Sequence, residues 1–154
     1  MKSDPHRAEG APSRMLELPT WLISQAYARS SRLLAAGFAA ADSRGYHYRL
    51  LAAVQEFGPA SQADLGRHTG IDRSDVVASL NELADRGFIR RSPDPADGRR
   101  NIVSITADGT KELRRLDRVV DGVQEKLLAP LSDAEGAQLV RLLTRLVDEP
   151  RPPG

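Results

Sequence analysis

Residues 88 to 109, FIRRSPDPADGRRNIVSITADG, constrain the fold more than any other stretch of this chain. Two short apolar runs, Phe88-Ile89 and Ile102-Val103-Ser104-Ile105, flank a turn-forming segment that carries adjacent arginines, Arg99 and Arg100. That pattern predicts a β-hairpin with a cationic tip. A helix whose first residues are polar directly precedes it. A helix able to enter a DNA major groove, beside a hairpin able to reach the minor groove, predicts a winged helix-turn-helix.

The flanking sequence supplies the helices of a fold that is mainly α with a small β-hairpin wing. Residues 1–18 are charged, carry Pro5, Gly10 and Pro12 and lack a period, so a disordered arm is expected. From Thr20 to Asp42 the chain reads as one long helix, with Pro19 before it and Thr20 as its cap. Trp21, Leu22, Ala26, Leu33, Leu34, Phe38 and Ala41 spread around its circumference, which predicts that another chain packs on it. Gly45 closes that unit. Residues 46–57 repeat apolar side chains at helical spacing, and Gly58-Pro59 breaks them. Ser61 caps a short helix that stops at Gly70, and Asp72 caps the next, with Val76, Leu80 and Leu83 as its inner stripe. Thr106 caps a long helix over 107–128, and Ser132-Asp133-Ala134-Glu135 is a capping box for the last one. The tail, 148–154, is loose.

Composition narrows the chemistry. With 154 residues the chain suits one compact domain, here expected over 19–147. It has no cysteine, so disulfides, thiolate catalysis and thiol redox sensing are excluded. Three histidines, far apart in sequence, offer no metal spacing. No nucleophile with a local base and no phosphate-binding glycine loop points to an enzyme, and no cofactor or metal is implied. No run of about 18 apolar residues predicts a membrane helix, and the N-terminus lacks a signal-like core, so the expected location is cytoplasmic. The formal net charge is only +1. DNA affinity must therefore come from where the cations sit and from dimerisation.

The expected DNA contacts follow from the helix-turn-helix order, helix 61–69, turn at Gly70, helix 73–86, hairpin 88–105. The start of the second helix faces base edges, which selects Arg73, Ser74, Asp75, Val77 and Ala78. Arg73 suits guanine or phosphate; Val77 and Ala78 offer only apolar contact, for example to a thymine methyl. Ser61 and Gln62 open the first helix at a natural phosphate seat, and His68 and Thr69 add phosphate contacts. Arg99 suits the narrow minor groove of A·T-rich DNA, with Arg100 beside it. Asp97 orients a neighbouring guanidinium or pins the turn.

The run Ile71-Asp72-Arg73-Ser74, then Arg86-Gly87-Phe88-Ile89, Asp97-Gly98-Arg99-Arg100 and Val103-Ser104-Ile105-Thr106-Ala107-Asp108-Gly109, resembles the MarR family of transcription regulators. The resemblance covers about residues 20 to 147. It implies a triangular homodimer in which helices 20–43, 107–129 and 132–147 intertwine. A winged lobe, 46–105, then binds each half-site of a pseudo-palindromic operator on double-stranded DNA. It implies Arg99 as the minor-groove arginine, Asp97 as its structural partner, and repression relieved by a small aromatic or anionic ligand. Many relatives carry a polar or basic residue at the positions of Val77 and Ala78, so base readout here leans on fewer side chains and on DNA shape.

In such relatives the effector lies between the dimerisation helices and the lobe. Trp21, Gln25 and Arg29 share one helix face, and His47, Tyr48 and Leu51 begin the second helix. Together they offer a ring, an amide, a guanidinium and an imidazole to an aromatic carboxylate or phenol. Each also has a plainer use, Trp21 and His47 in the core or the interface and Arg29 in an ion pair. The competing functional reading is a winged-helix protein–protein module that does not touch DNA, favoured by the near-neutral lobe and by Val77 and Ala78.

Overall fold

The computed structural model describes residues 10–148. The chain runs through a 3₁₀ turn (Met15–Glu17), α1 (Pro19–Ala40), α2 (Gly45–Phe57), β1 (Ala60–Ser61), α3 (Gln62–Thr69) and α4 (Arg73–Asp85). It continues through β2 (Ile89–Pro93), β3 (Asn101–Ile105), α5 (Ala107–Leu128) and α6 (Asp133–Val147). Among the described residues, no helix is long and apolar enough to cross a membrane. The expected mainly helical architecture with a β wing is what the chain adopts. The sheet, however, has three strands in the order β1-β3-β2, because Ala60 and Ser61 pair with Val103 and Ile102 on the far edge of the hairpin. The hairpin itself is antiparallel, with Ile89 opposite Ile105 and Pro93 opposite Asn101.

Several local expectations need correction. Of the expected disordered arm, 1–9 lies outside the described residues, and Met15–Glu17 in its remainder forms a 3₁₀ turn whose first amide donates to the Pro12 carbonyl. All of the expected tail beyond Asp148 is likewise outside. Thr20 is not the cap of α1. Leu18 takes that position and Pro19 is the first helical residue, where its fixed φ suits the helix and its missing N–H costs nothing. Gly45 opens α2 rather than closing α1, which ends at Ala40; the chain reverses through Asp42 at φ +52. Asp72 stands at the N-cap of α4 without a side-chain capping bond. The caps at Ser61, Thr106 and Ser132 form as local chemistry dictates, the last as a full capping box.

One apolar core joins these elements. Leu50, Leu51 and Val54 of α2 meet Leu65 of α3, Val76, Leu80 and Leu83 of α4, Val103 of β3 and Leu116 of α5, all essentially without exposure. α2 thus lies at the centre, α3 and α4 on one side of it, and α5 on the other with α1. The terminal helices are different. α1 buries only Phe38 and α6 only Gly136. Tyr27, Leu146 and Val147 are 71%, 63% and 81% exposed, and Leu22, Ile23, Val140, Leu142 and Leu143 are exposed as well.

Candidate nucleic-acid interface

α3 and α4 meet through a turn that needs Gly70 in the left-handed region, φ +67, where a side chain is strained. Ser61 begins α3 on the edge of the sheet. Its Oγ accepts from the Asp64 amide at 3.2 Å and donates to the Asp64 carboxylate at 2.8 Å. Asp64 also pairs with Arg67 one turn away. The wing closes this arrangement from the other side, because the Arg100 guanidinium donates back to Ser61 Oγ at 3.4 Å.

The wing tip is built by its two aspartates. Asp94 Oδ1 accepts from the Ala96 amide at 2.9 Å, and Asp97 Oδ1 accepts from the Arg99 amide at 3.1 Å. The Asp94 amide donates to the Arg100 carbonyl at 2.8 Å and closes the loop. Both carboxylates therefore fold the turn, which is the local role expected of Asn and Asp side chains in turns. Arg99 stands at the tip, exposed to solvent.

α3, the first turns of α4 and the wing enclose a concavity of about 730 Å³. Ser61, Gln62, Arg73, Val77, Arg99 and Arg100 line it, six of the twelve sequence-expected DNA residues, joined by Ala63, Gly66, Arg67, Ile71, Val76 and Asn101. Four arginines and no carboxylate stand among those lining residues. A chain of near-zero net charge so presents one cationic hollow, and concave cationic surfaces concentrate field. Ser74 is exposed beside it, on the same end of α4. Asp75 and Ala78 turn the other way, toward Arg44 and the first residues of α2, Gly45 and Tyr46. His68 stacks on Phe57 at 4.0 Å between centroids, and Thr69 Oγ1 donates to the Leu65 carbonyl at 2.6 Å. Those two hold the far end of α3. Arg67 was missed by sequence reasoning; its spacing from Asp64 was a signal only for an ion pair. Asn81 was missed as well. It is exposed one turn beyond Val77 and accepts a bond from Arg91 of β2 at 2.8 Å, tying α4 to the wing.

The six sequence-expected ligand residues do not gather at one point of the chain. Gln25 and Arg29 are exposed on the outer half of α1, with Trp21 half-buried there. Leu51 is wholly within the core. His47 is buried, its Nε2 2.6 Å from Glu82 Oε2 on α4. Tyr48 lies against Phe38 with ring centroids 5.7 Å apart, and its hydroxyl donates to Asp117 of α5 at 3.0 Å. Burial first, and then the Asp117 carboxylate, push the Tyr48 phenol above its ordinary pKa. Tyr48 also walls a cleft of about 450 Å³ between α1, α2 and α5, with Leu34, Phe38, Arg49, Val120 and Gln124.

Comparison with known proteins agrees with this geometry. The MarR family profile matches residues 42–100. A putative transcriptional regulatory protein for the hcr operon of Thauera aromatica is 34% identical over 99 residues, which is 64% of this chain and 60% of that protein. The transcriptional repressor NicR of Pseudomonas putida is 25% identical over 140 residues, 91% of this chain and 89% of the repressor. The crystal structure of a probable transcriptional regulator from Pseudomonas aeruginosa superposes with a TM-score of 0.76 at 34% identity, over 86% of this chain and 99% of that one. The chain belongs to the MarR family and is a DNA-binding transcriptional regulator with a winged helix-turn-helix fold.

Proposed function

We propose that the chain works as a homodimeric repressor, each winged lobe gripping one half-site of a pseudo-palindromic operator, and that a small aromatic anion releases it. The cationic hollow between α4 and the wing carries this reading. Arg73, Ser74 and Val77 face a major groove from one wall, while Arg99 at the wing tip reaches an adjacent minor groove. Gln62, Arg67 and Arg100 line the same hollow and suit phosphate oxygens. Asp97 acts through the turn it folds, and Ser61 through the cap that it shares with Arg100. His68 and Thr69 lie behind this surface and support it.

The dimer reading rests on the exposed apolar side chains of α1 and α6. Leu22, Ile23, Leu143 and Leu146 stand on helices that bury almost nothing within one chain, and apolar patches of this kind mark interfaces. Helices 20–43, 107–129 and 132–147 then form the dimer body, and 46–105 the lobe. The effector reading rests on the α1–α2–α5 cleft. Its aromatic wall of Phe38 and Tyr48 and its Arg49 suit a ring bearing a carboxylate. PcaV of Streptomyces coelicolor, crystallised with its natural ligand, superposes at 26% identity with a TM-score of 0.67, over 90% of this chain and 97% of its own.

Two experiments test this. Arg99→Ala should weaken duplex binding about 10- to 100-fold while leaving the dimer and its thermal midpoint unchanged; unaltered affinity would remove the wing from the interface. Benzoate and hydroxybenzoates titrated into a protein–duplex complex should release the DNA, and Arg49→Ala should raise the concentration required. No release by any of them would sink the effector part alone.

A further inference from the structure

Away from the DNA-facing hollow, a polar cluster with a buried histidine and a part-exposed carboxylate joins α4 to the corner between α1 and α2. His47, on the first turn of α2, is only 4% exposed. Its Nε2 lies 2.6 Å from Glu82 Oε2, and its Nδ1 lies 3.5 Å from Ser43 Oγ. The other oxygen of Glu82 meets Arg44 Nη1 at 3.3 Å. One turn further on, Arg86 donates to the Asp42 carbonyl at 2.8 Å. From α5, Arg115, itself gripped by Glu112 through two bonds, donates to the Ala41 carbonyl at 2.7 Å. Residues 41–44 are thus a corner where α1, α2, α4 and α5 are fastened by directional bonds.

Elsewhere α4 is held by the apolar packing of Val76, Leu80 and Leu83 and by the exposed Asn81–Arg91 bond to the wing. Apolar packing of that kind is non-directional and tolerates small rotations. The His47–Glu82 bond is buried on the His47 side and 39% exposed at Glu82, so it adds little net stability, and what a directional bond of this kind contributes is register. Glu82 is nine residues from Arg73, about 14 Å along a helix, so a tilt of about 10° at Glu82 moves Arg73 by about 2 Å.

We infer that Glu82 is a positioning residue: bonded to His47 and Arg44, it sets the angle of the recognition helix against the α1–α2 corner and so the separation of the two half-sites that the dimer accepts. This rests on the dimer reading above, and it adds to it the element that fixes the spacing. Glu82 stands on α4 about two and a half turns from Arg73 and needs no contact with DNA to do so.

The test uses the full chain and a duplex selected by that chain from a random library. Variants of the duplex then carry one base pair more or fewer between the half-sites. The unaltered chain should prefer one spacing by about tenfold or more. Glu82→Leu should flatten that preference to within about threefold, while single half-site affinity and the salt dependence stay the same. Glu82→Gln, which keeps the shape and a weaker bond to His47, should lie between, and it serves if Glu82→Leu does not fold. A flattened profile confirms the latch. A profile as sharp in both variants as in the unaltered chain overturns it, as does a uniform loss at every spacing, which marks a merely structural residue. A flat profile in the unaltered chain overturns the dimer reading, and the latch with it.

Discussion

Thr106 and Gly109 show how much one side chain, or its absence, decides in this molecule. The Thr106 hydroxyl donates to the Gly87 carbonyl at 2.6 Å and accepts from the Gly109 amide at 3.0 Å, so it caps α5 and pins the wing in one position. The Thr106 amide donates to the Phe88 carbonyl at 3.1 Å. A methyl group on Gly109 would overlap that same Phe88 oxygen and approach Ile105 Cγ1 to 2.8 Å. The spacing T-x-x-G at the end of the wing thus has a steric cause: the helix must start in contact with the strand it leaves. Gly109→Ala should cost about 1–3 kcal/mol or more, read as a lower thermal midpoint and a wing that exchanges amide protons faster. An unchanged midpoint would mean that the junction is looser than these contacts require.

At the scale of elements, legibility follows the range of the interaction. The caps at Ser61, Thr106 and Ser132 are set by bonds over three residues, and each was readable from the chain alone. So was the inner stripe of α4, because Val76, Leu80 and Leu83 recur at the helical period and all become buried. β1 was not, since two residues, Ala60 and Ser61, carry no alternation and pair only because β3 lies beside them. Gly45 was assigned to the end of α1 because glycine more often stops helices than starts them. Here Asp42 makes the reversal instead. Of the candidate site, Arg73, Val77, Arg99 and Arg100 were legible from their places in the helix-turn-helix order, and the hollow unites them. His47 and Glu82 are 35 residues apart; nothing local in either segment announces the other. The same holds for Tyr48 and Asp117, 69 residues apart.

For the whole molecule, the unbalanced feature is the pair of terminal helices. A lobe with an apolar core carries α1 and α6, which leave Leu22, Ile23, Val140, Leu142, Leu143 and Leu146 in solvent. Leu146 is exposed within one chain, so a charge there leaves the folded protomer intact and becomes costly only when a second copy covers it. Leu146→Glu should therefore convert the proposed dimer to a folded monomer in sedimentation equilibrium and weaken operator binding, since in that reading each lobe grips one half-site. A dimer that persists would place the interface elsewhere.

A nearly neutral chain is expected to bind duplex DNA through one cationic hollow per lobe, with Arg99 at its edge. The most direct measurement is the salt dependence of duplex affinity for the unaltered chain and for Arg99→Ala. The plot of log affinity against log salt should fall with a slope of at least about 3 in magnitude for the unaltered chain, and be shallower by about 1 for each arginine removed from the complex. A flat plot, or one that Arg99→Ala leaves unchanged, would contradict the account.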